Sequence, residues 1–238
     1  MEYIHNTEQF QFHNTVVALG KFDGMHKGHQ LIFDELIQYK QMGYQAAVFS
    51  FDRPPLNMLK HKHMRVIYTT NEKIKLLARR GIDIYIEHPF TDEFSHLSPE
   101  DFVIKVLLEK TGMKVLVVGD DCGFGYKRQG NVELLERMSK EYDFKLIVIP
   151  KLELEGEIVS STRIRHLLSE GKVEEANRLM EDPFMICGPV VHGNHMGAEV
   201  LQMPTANQIP LEDKLLPPNG VYVSRIHYKD ETHYGISN

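Results

Sequence analysis

The sequence predicts a doubly wound α/β domain with a parallel sheet over its first two thirds, followed by a small β domain. Three observations carry that expectation. Strand-like and helix-like segments alternate through the first part of the chain, the pattern of an open sheet with helices on both faces. One strand segment, Lys114-Val115-Leu116-Val117-Val118-Gly119, is almost unbroken in apolar residues, as strands covered on both sides of a parallel sheet are. After Asp182-Pro183 helical spacing disappears, and glycine, proline and short β-type runs take over.

The elements follow in order. Thr15-Val16-Val17-Ala18-Leu19-Gly20 is a short apolar run and the first predicted strand. Ile32, Phe33, Leu36 and Ile37 then recur at helical spacing. Ala46 to Phe51 is a second strand, and residues 67–80 read as a helix capped by Thr70 or Asn71 and stopped by Gly81. Ile82 to Ile86 is a third strand. Ser98-Pro99-Glu100 opens a helix with a capping residue before a proline, its apolar members are Phe102, Val103, Val106 and Leu107, and Gly112 ends it. Lys114–Gly119 is the fourth strand, residues 131–142 a helix and Leu146–Ile149 the fifth strand. Residues 160–170 and 173–180 finish as two helices. Ligands of such a sheet sit at the carboxyl ends of its strands. Beyond residue 183, Gly188-Pro189-Val190-Val191 and Gly220-Val221-Tyr222-Val223-Ser224 begin a β unit with few strands in hand. It is expected to pair with the first domain or to continue in a longer chain.

Composition narrows the function classes. A chain of 238 residues makes one large domain or two modest ones, with 42% hydrophobic and 25% charged residues, ordinary for a packed protein. Lysine and arginine number 27 against 33 acidic residues, a net charge of −6, which excludes a chain-wide basic footprint for nucleic acid. Cys122 and Cys187 are far apart and in no metal-like spacing, consistent with a reducing cytoplasm. The opening MEYIHNTEQF has no signal-peptide character, and no apolar stretch approaches a membrane span. A cytoplasmic protein with small-molecule partners, and neither nucleic acid nor membrane, is expected.

The first candidate site is Gly20-Lys21-Phe22-Asp23-Gly24-Met25-His26-Lys27-Gly28-His29, between the first strand and the first helix. Its glycines permit a tight turn and close backbone approach, and the helix that follows offers free N–H groups to a phosphate. His26 and His29, three apart, both project to one side and can donate hydrogen bonds to it. No P-loop and no G-x-G-x-x-G occurs. The second candidate is Ser160-Ser161-Thr162-Arg163-Ile164-Arg165. Its hydroxyls are explained by capping, but Arg163 and Arg165 stand in a first turn that favours acidic residues. His26, Lys27 and His29 create the same conflict at the first helix. Two helix starts of unfavourable sign suggest a shared polyanionic ligand, a nucleoside triphosphate. The third candidate, Gly119-Asp120-Asp121-Cys122-Gly123-Phe124-Gly125-Tyr126-Lys127-Arg128-Gln129-Gly130, follows the fourth strand; its carboxylates suit polar groups or a metal, and its glycines admit a flat ligand. Cys122 reads as structural or incidental. Histidines 61, 63, 88, 96, 192 and 195 form no zinc-type spacing and read as solvated loop residues.

Together these stretches resemble the bacterial bifunctional riboflavin kinase/FMN adenylyltransferase, or FAD synthetase, family. GKFDGMHKGH, VVGDDCGFGYKRQG and SSTRIRHLLSEG stand in that family's order, and the likeness covers nearly all of residues 15–182. The resemblance implies a Rossmann-like nucleotidyltransferase domain over residues 1–183 and, over 184–238, part of a riboflavin kinase β-barrel. It implies ATP binding by Gly20, Phe22, Asp23, Gly24, His26, Gly28, His29, Ser161, Thr162 and Arg163, with His26, His29 and Arg163 catalytic. Asp121, Phe124 and Gly125 would lie toward the flavin. Pro204-Thr205-Ala206-Asn207 resembles the kinase motif in which Thr205 and Asn207 would help to hold magnesium and ATP.

The implied reaction is ATP plus FMN giving FAD and pyrophosphate. Departures accompany it. Ala198, Glu199 and Leu201-Gln202-Met203 replace residues usual around the kinase motif, and the expected later glutamate has no counterpart, so kinase activity on riboflavin is not expected of this polypeptide. Phe51-Asp52-Arg53-Pro54-Pro55 stands where the family shows Phe-Glu-Pro-His-Pro. The alternatives are another adenylyl- or cytidylyltransferase, a non-catalytic flavin or nucleotide regulator, and riboflavin kinase.

Overall fold

Six parallel strands form one sheet: β1 (Glu2–His5), β2 (Thr15–Leu19), β3 (Gln45–Phe51), β4 (Ile84–His88), β5 (Met113–Gly119) and β6 (Lys145–Ile149). The computed structural model describes residues 1–52, 65–191 and 205–238. Strand order is β1-β4-β3-β2-β5-β6. After β2 the chain builds outward through β3 and β4, then returns to add β5 and β6 on the other side of β2. The order therefore reverses between β2 and β5, where such sheets leave a crevice at their carboxyl ends.

Why the sheet is buried on both faces follows from its pleat. Successive side chains of a strand point to opposite faces. Along β2, Val16 and Ala18 enter one core cluster with Phe33 and Leu36, while Val17 and Leu19 enter a second with Phe102 and Leu135. Both clusters are apolar, so β2 needs no polar alternation, and all five of its residues are buried. Burial of a large aliphatic or aromatic side chain contributes about 1.5–3 kcal/mol.

The helices are α1 (Lys27–Gln41), α2 (Thr70–Arg80), the single turns α3 (Asp92–Ser95) and α4 (Pro99–Asp101), α5 (Val132–Glu141), α6 (Ser161–Ser169) and α7 (Val173–Leu179). The expected helix over residues 67–80 starts later, at Thr70. Thr69 caps it through a reciprocal capping box with Glu72, and Gly81 closes it in the left-handed region at φ 90°. Ser98 caps α4 as expected, but the chain then widens into a π-helical stretch, Phe102–Leu108. The buried set Phe102, Val103, Val106 and Leu107 suits either winding over so short a run.

Among the described elements that the sequence did not predict are two in the first domain. Strand β1 is a four-residue edge strand tied by the Tyr3 hydroxyl, which donates to Glu87 at 2.7 Å. A tight hairpin of β7 (Glu153–Leu154) and β8 (Glu157–Ile158) turns through Glu155 and Gly156, both at positive φ.

Past residue 183 the chain pairs β9 (Val190–Val191) with β10 (Asn207–Gln208), then forms the hairpin β11 (Tyr222–Tyr228) and β12 (Glu231–Ser237). Phe184, Met185 and Leu215 pack on the first domain's core, whereas Val223, Tyr234 and Ile236 on the last hairpin are exposed.

Candidate functional site

The loop from Gly20 to His29 leaves the carboxyl end of β2 beside the reversal point and enters α1. Phe22 and Met25 adopt left-handed backbone at φ 48° and 40°, a conformation costing of order 1 kcal/mol or more for a side chain with a Cβ. Packing over-determines it. The Phe22 ring is buried between Phe33 and the edge of His29, each centroid 5.1 Å away. Phe22 therefore builds the loop's floor rather than a ligand-facing surface. Gly20 is required beneath it, since a Cβ there would lie 2.8 Å from the Phe22 ring.

His26 is the N-cap of α1. Its Nδ1 accepts from the His29 backbone N–H at 3.3 Å, so in the neutral imidazole the proton sits on Nε2. The His26 and His29 rings stack face to face at 3.6 Å and 17°. Burial drives the His26 pKa down to about 4 against the partial opposition of the Asp121 charge. Burial, then the neighbouring His26, holds His29 well below its ordinary range. His29 as a residue is half-buried, yet its Nδ1 is enclosed and has no hydrogen-bond partner among the described residues.

This corrects the expectation of unfavourable charge at α1. Both imidazoles are neutral near pH 7, and only the exposed Lys27 carries a positive charge in that first turn.

The α6 start approaches from the other side. A Cβ on Gly24 would stand 3.2 Å from Ser161 Oγ and 3.4 Å from the end of Ile164, so loop and helix meet there. Ser160 caps α6, accepting from the Arg163 N–H at 3.2 Å. Ser161 is half-buried at the contact and Thr162 exposed. Here too the expectation needs correction, because the arginines already have anionic partners. Arg163 reaches back to the β7–β8 hairpin, with Nε 2.9 Å from Glu157 and Nη1 donating to the Leu154 carbonyl. Arg165 pairs with Asp23 and donates to the Arg65 carbonyl. Asp23 in turn accepts from the Ile67 N–H at 3.0 Å. A polyanion is therefore not needed to make either helix start stable.

Arg165 lies in the second candidate stretch without an assigned ligand role, and it fastens the loop to α6. Its partner lies 142 positions away, and no local signal marks the pair.

The third stretch lies across the crevice at the end of β5. Asp121 is exposed, forms an ion pair with Lys151 at 3.2 Å and acts electrostatically on His26. That puts it within electrostatic reach of His26. The Phe124 ring is buried against Phe102, and the Phe124–Gly130 bridge closes the loop, so Phe124 supports the crevice from beneath. Gly125, at φ 68°, fits against Pro99, where a Cβ would lie 2.7 Å from its Cα. Cys122 is pushed up to about 11 by burial, leaving the thiol protonated and inert.

The remaining candidates divide. Asp52 accepts from the Phe90 N–H at 2.9 Å; Arg53, Pro54 and Pro55 lie outside the described residues, as do His61, His63, His192, His195, Ala198, Glu199, Leu201 to Met203 and Pro204. His88 is not a solvated loop residue: it ends β4, 1% exposed, with its ring against Phe49 and Phe94. His96 is exposed. Thr205 and Asn207 are exposed at the start of β10, with no described hydrogen bond to the His26–Arg163 group. Among the described residues no three His, Cys, Asp or Glu side chains gather to hold a metal, and no helix is long and apolar enough to cross a membrane.

Comparison with known proteins gives consistent findings. Residues 8–163 match the family model for FAD synthetase, and residues 180–238 that for riboflavin kinase. A bifunctional riboflavin kinase/FMN adenylyltransferase of Buchnera aphidicola from Schizaphis graminum is 38% identical over 99% of this chain and 76% of its own length. Enzymes of the same name from Listeria monocytogenes and Escherichia coli K12 are 35% and 32% identical, over 99% and 94% of this chain and 76% and 71% of theirs. A crystal structure described as a macrolide-efflux protein from Streptococcus pneumoniae is 30% identical with a TM-score of 0.86, covering 98% of this chain and 77% of that one.

Proposed function

The chain belongs to the bifunctional riboflavin kinase/FMN adenylyltransferase family, and we propose that residues 1–183 form an adenylyltransferase unit making FAD and pyrophosphate from ATP and FMN. Residues 184–238 form the kinase-type β unit on the same reading. One observation carries the site assignment: two stacked, neutral imidazoles stand at the start of α1, on a loop whose Gly24 meets the start of α6.

An oxygen of the FMN phosphate attacks the α-phosphorus of ATP. The new P–O bond forms in line as the bond to the bridging oxygen breaks, and pyrophosphate departs. The acceptor brings its own anionic oxygen, so the protein supplies no nucleophile; its task is positioning and charge stabilisation. His26 donates from Nε2 to the charge that builds on the α-phosphoryl oxygens, and His29 supports the same group. Neutrality suits this role, because a neutral imidazole donates near pH 7 without holding the ground-state triphosphate as an ion pair. The α1 and α6 first-turn N–H groups and the Ser161 and Thr162 hydroxyls take the remaining phosphate oxygens. Arg163 joins them by leaving Glu157.

Magnesium fits this donor set as an ion held chiefly by phosphate oxygens. The exposed Asp121 carboxylate and, in the kinase-type unit, the Thr205 and Asn207 side-chain oxygens are its candidate protein ligands. When bound it neutralises phosphate charge.

The match of residues 180–238 favours a second reading, phosphorylation of riboflavin to FMN. Purified chain incubated with ATP, magnesium and either flavin, followed by separation of the products, tests both. FAD from FMN supports the transferase, and FMN from riboflavin supports the kinase. Flavin and nucleotide binding without turnover would sink both in favour of a regulator.

A further inference from the structure

Lys214 is almost fully buried, and burying an ammonium is costly unless it is paired and hydrogen-bonded. Its Nζ has three acceptors from three segments: the Ile67 carbonyl at 2.6 Å, the Met185 carbonyl at 2.7 Å and Glu72 at 2.7 Å. Glu72 is itself fully buried and engaged on both oxygens. One accepts from the Thr69 N–H in the α2 capping box, the other from the Cys187 N–H at 2.7 Å. Buried ion pairs add little net stability relative to apolar packing, and their best-attested use is to specify one arrangement. The arrangement specified here joins the chain leading into β11 to the start of α2.

That junction continues to the nucleotide loop. The Val66 carbonyl accepts from the Leu215 N–H at 2.8 Å, and the N–H of the same peptide unit, on Ile67, donates to Asp23 at 3.0 Å. Asp23 is the loop residue that holds Arg165. A single peptide plane is thus gripped by the 213–215 segment on one side and by the phosphate loop on the other, with Lys214 holding the next carbonyl.

We propose that Lys214 is a positioning residue of the nucleotide site: it holds the carbonyl of Ile67, the residue whose N–H orients Asp23, so a segment of the kinase-type unit sets the shape of the loop receiving ATP. This rests on the adenylyltransferase reading for its substrate. Coupling between sites is reciprocal, so bound nucleotide will also tighten residues 213–215.

Two arms test this on the full chain. Lys214→Met leaves Glu72 charged and unpaired, so it is paired with Glu72→Gln/Lys214→Met, which removes that charge while still losing the bond to Ile67. In the double variant the KM for ATP will rise about five- to tenfold with kcat within about twofold, at a Tm near that of the unaltered chain. A folded double variant with unchanged KM, or one losing kcat alone, overturns the proposal. The second arm needs no variant: a non-hydrolysable ATP analogue will slow amide exchange at both Ile67 and Leu215. No slowing at these positions overturns the proposal whether or not the variants fold. If the unaltered chain makes no FAD, the reaction reading fails, and the exchange arm still decides the role of Lys214.

Discussion

The starts of α1 and α6 present the same problem and solve it differently. Each places basic side chain types where the helix dipole disfavours positive charge. At α1 the solution is burial: the imidazoles lose their charge and become stacked hydrogen-bonding groups. At α6 the charge stays and is matched, Arg163 by Glu157 and Arg165 by Asp23. The difference teaches that helix-start basicity alone does not report a bound anion. It also assigns different work to the two ends. A buried neutral pair is rigid and suits charge that develops during reaction, whereas a paired arginine can exchange one anion for another.

If α1 does the chemistry, the largest effect belongs there. His29→Ala will lower turnover about 10²–10³-fold, the range for loss of one preorganised donor, measured as FAD formed from FMN at saturating ATP. Near-normal turnover would remove the distinction between the two helix starts.

A pH experiment on stability separates them without substrate. The folded chain holds His26 down to about 4 against an ordinary 6.5. Between these values the unfolded chain binds a proton that the folded chain refuses, so stability rises with pH across the window and levels off above it. One such group gives a slope of about 1.4 kcal/mol per pH unit, and His29 adds in the same direction. Denaturant unfolding from pH 4.5 to 7.5 will show this slope, and His26→Asn, which keeps a capping side chain, will reduce it. At α6 the comparable loss is mechanical: Arg165→Ala will destabilise the chain by about 1–3 kcal/mol by releasing Asp23, read as a lower denaturation midpoint.

How much of this was legible in the sequence depended on whether a feature is local. The apolar run of β5 announced a strand covered on both faces, that of β2 announced a strand, and the glycine- and histidine-rich turn announced the loop after β2. Strand β1 escaped because four residues held by Tyr3 on Glu87 make no periodic pattern. The capping box at Thr69 and Glu72 was visible in the spacing, but an apolar Ile67 and Tyr68 extended the apparent helix over it. The site was legible as a set of motifs and not as a set of charges. Neutral histidines require knowledge of burial, and the partners of Arg165 and Lys214 lie 142 and 147 positions away for the bonds to Asp23 and Ile67. Side-chain pairing across such separations leaves no trace in composition or periodicity.

The smallest predicted effect probes whether Arg163 exchanges partners. Glu157 is exposed and sits on a two-stranded hairpin, so its ion pair with Arg163 holds little stability, about 1 kcal/mol or less. That is the right size for a placeholder. If Arg163 leaves Glu157 to meet the triphosphate, Glu157→Gln removes the competing anion and lowers the KM for ATP about two- to fivefold, with kcat unchanged. If Arg163 instead serves only to pin the hairpin to α6, the same change leaves KM where it was and lowers the unfolding midpoint. Steady-state kinetics and a thermal melt on the one variant decide between these, and with them whether α6 acts on the ligand or only frames the loop that does.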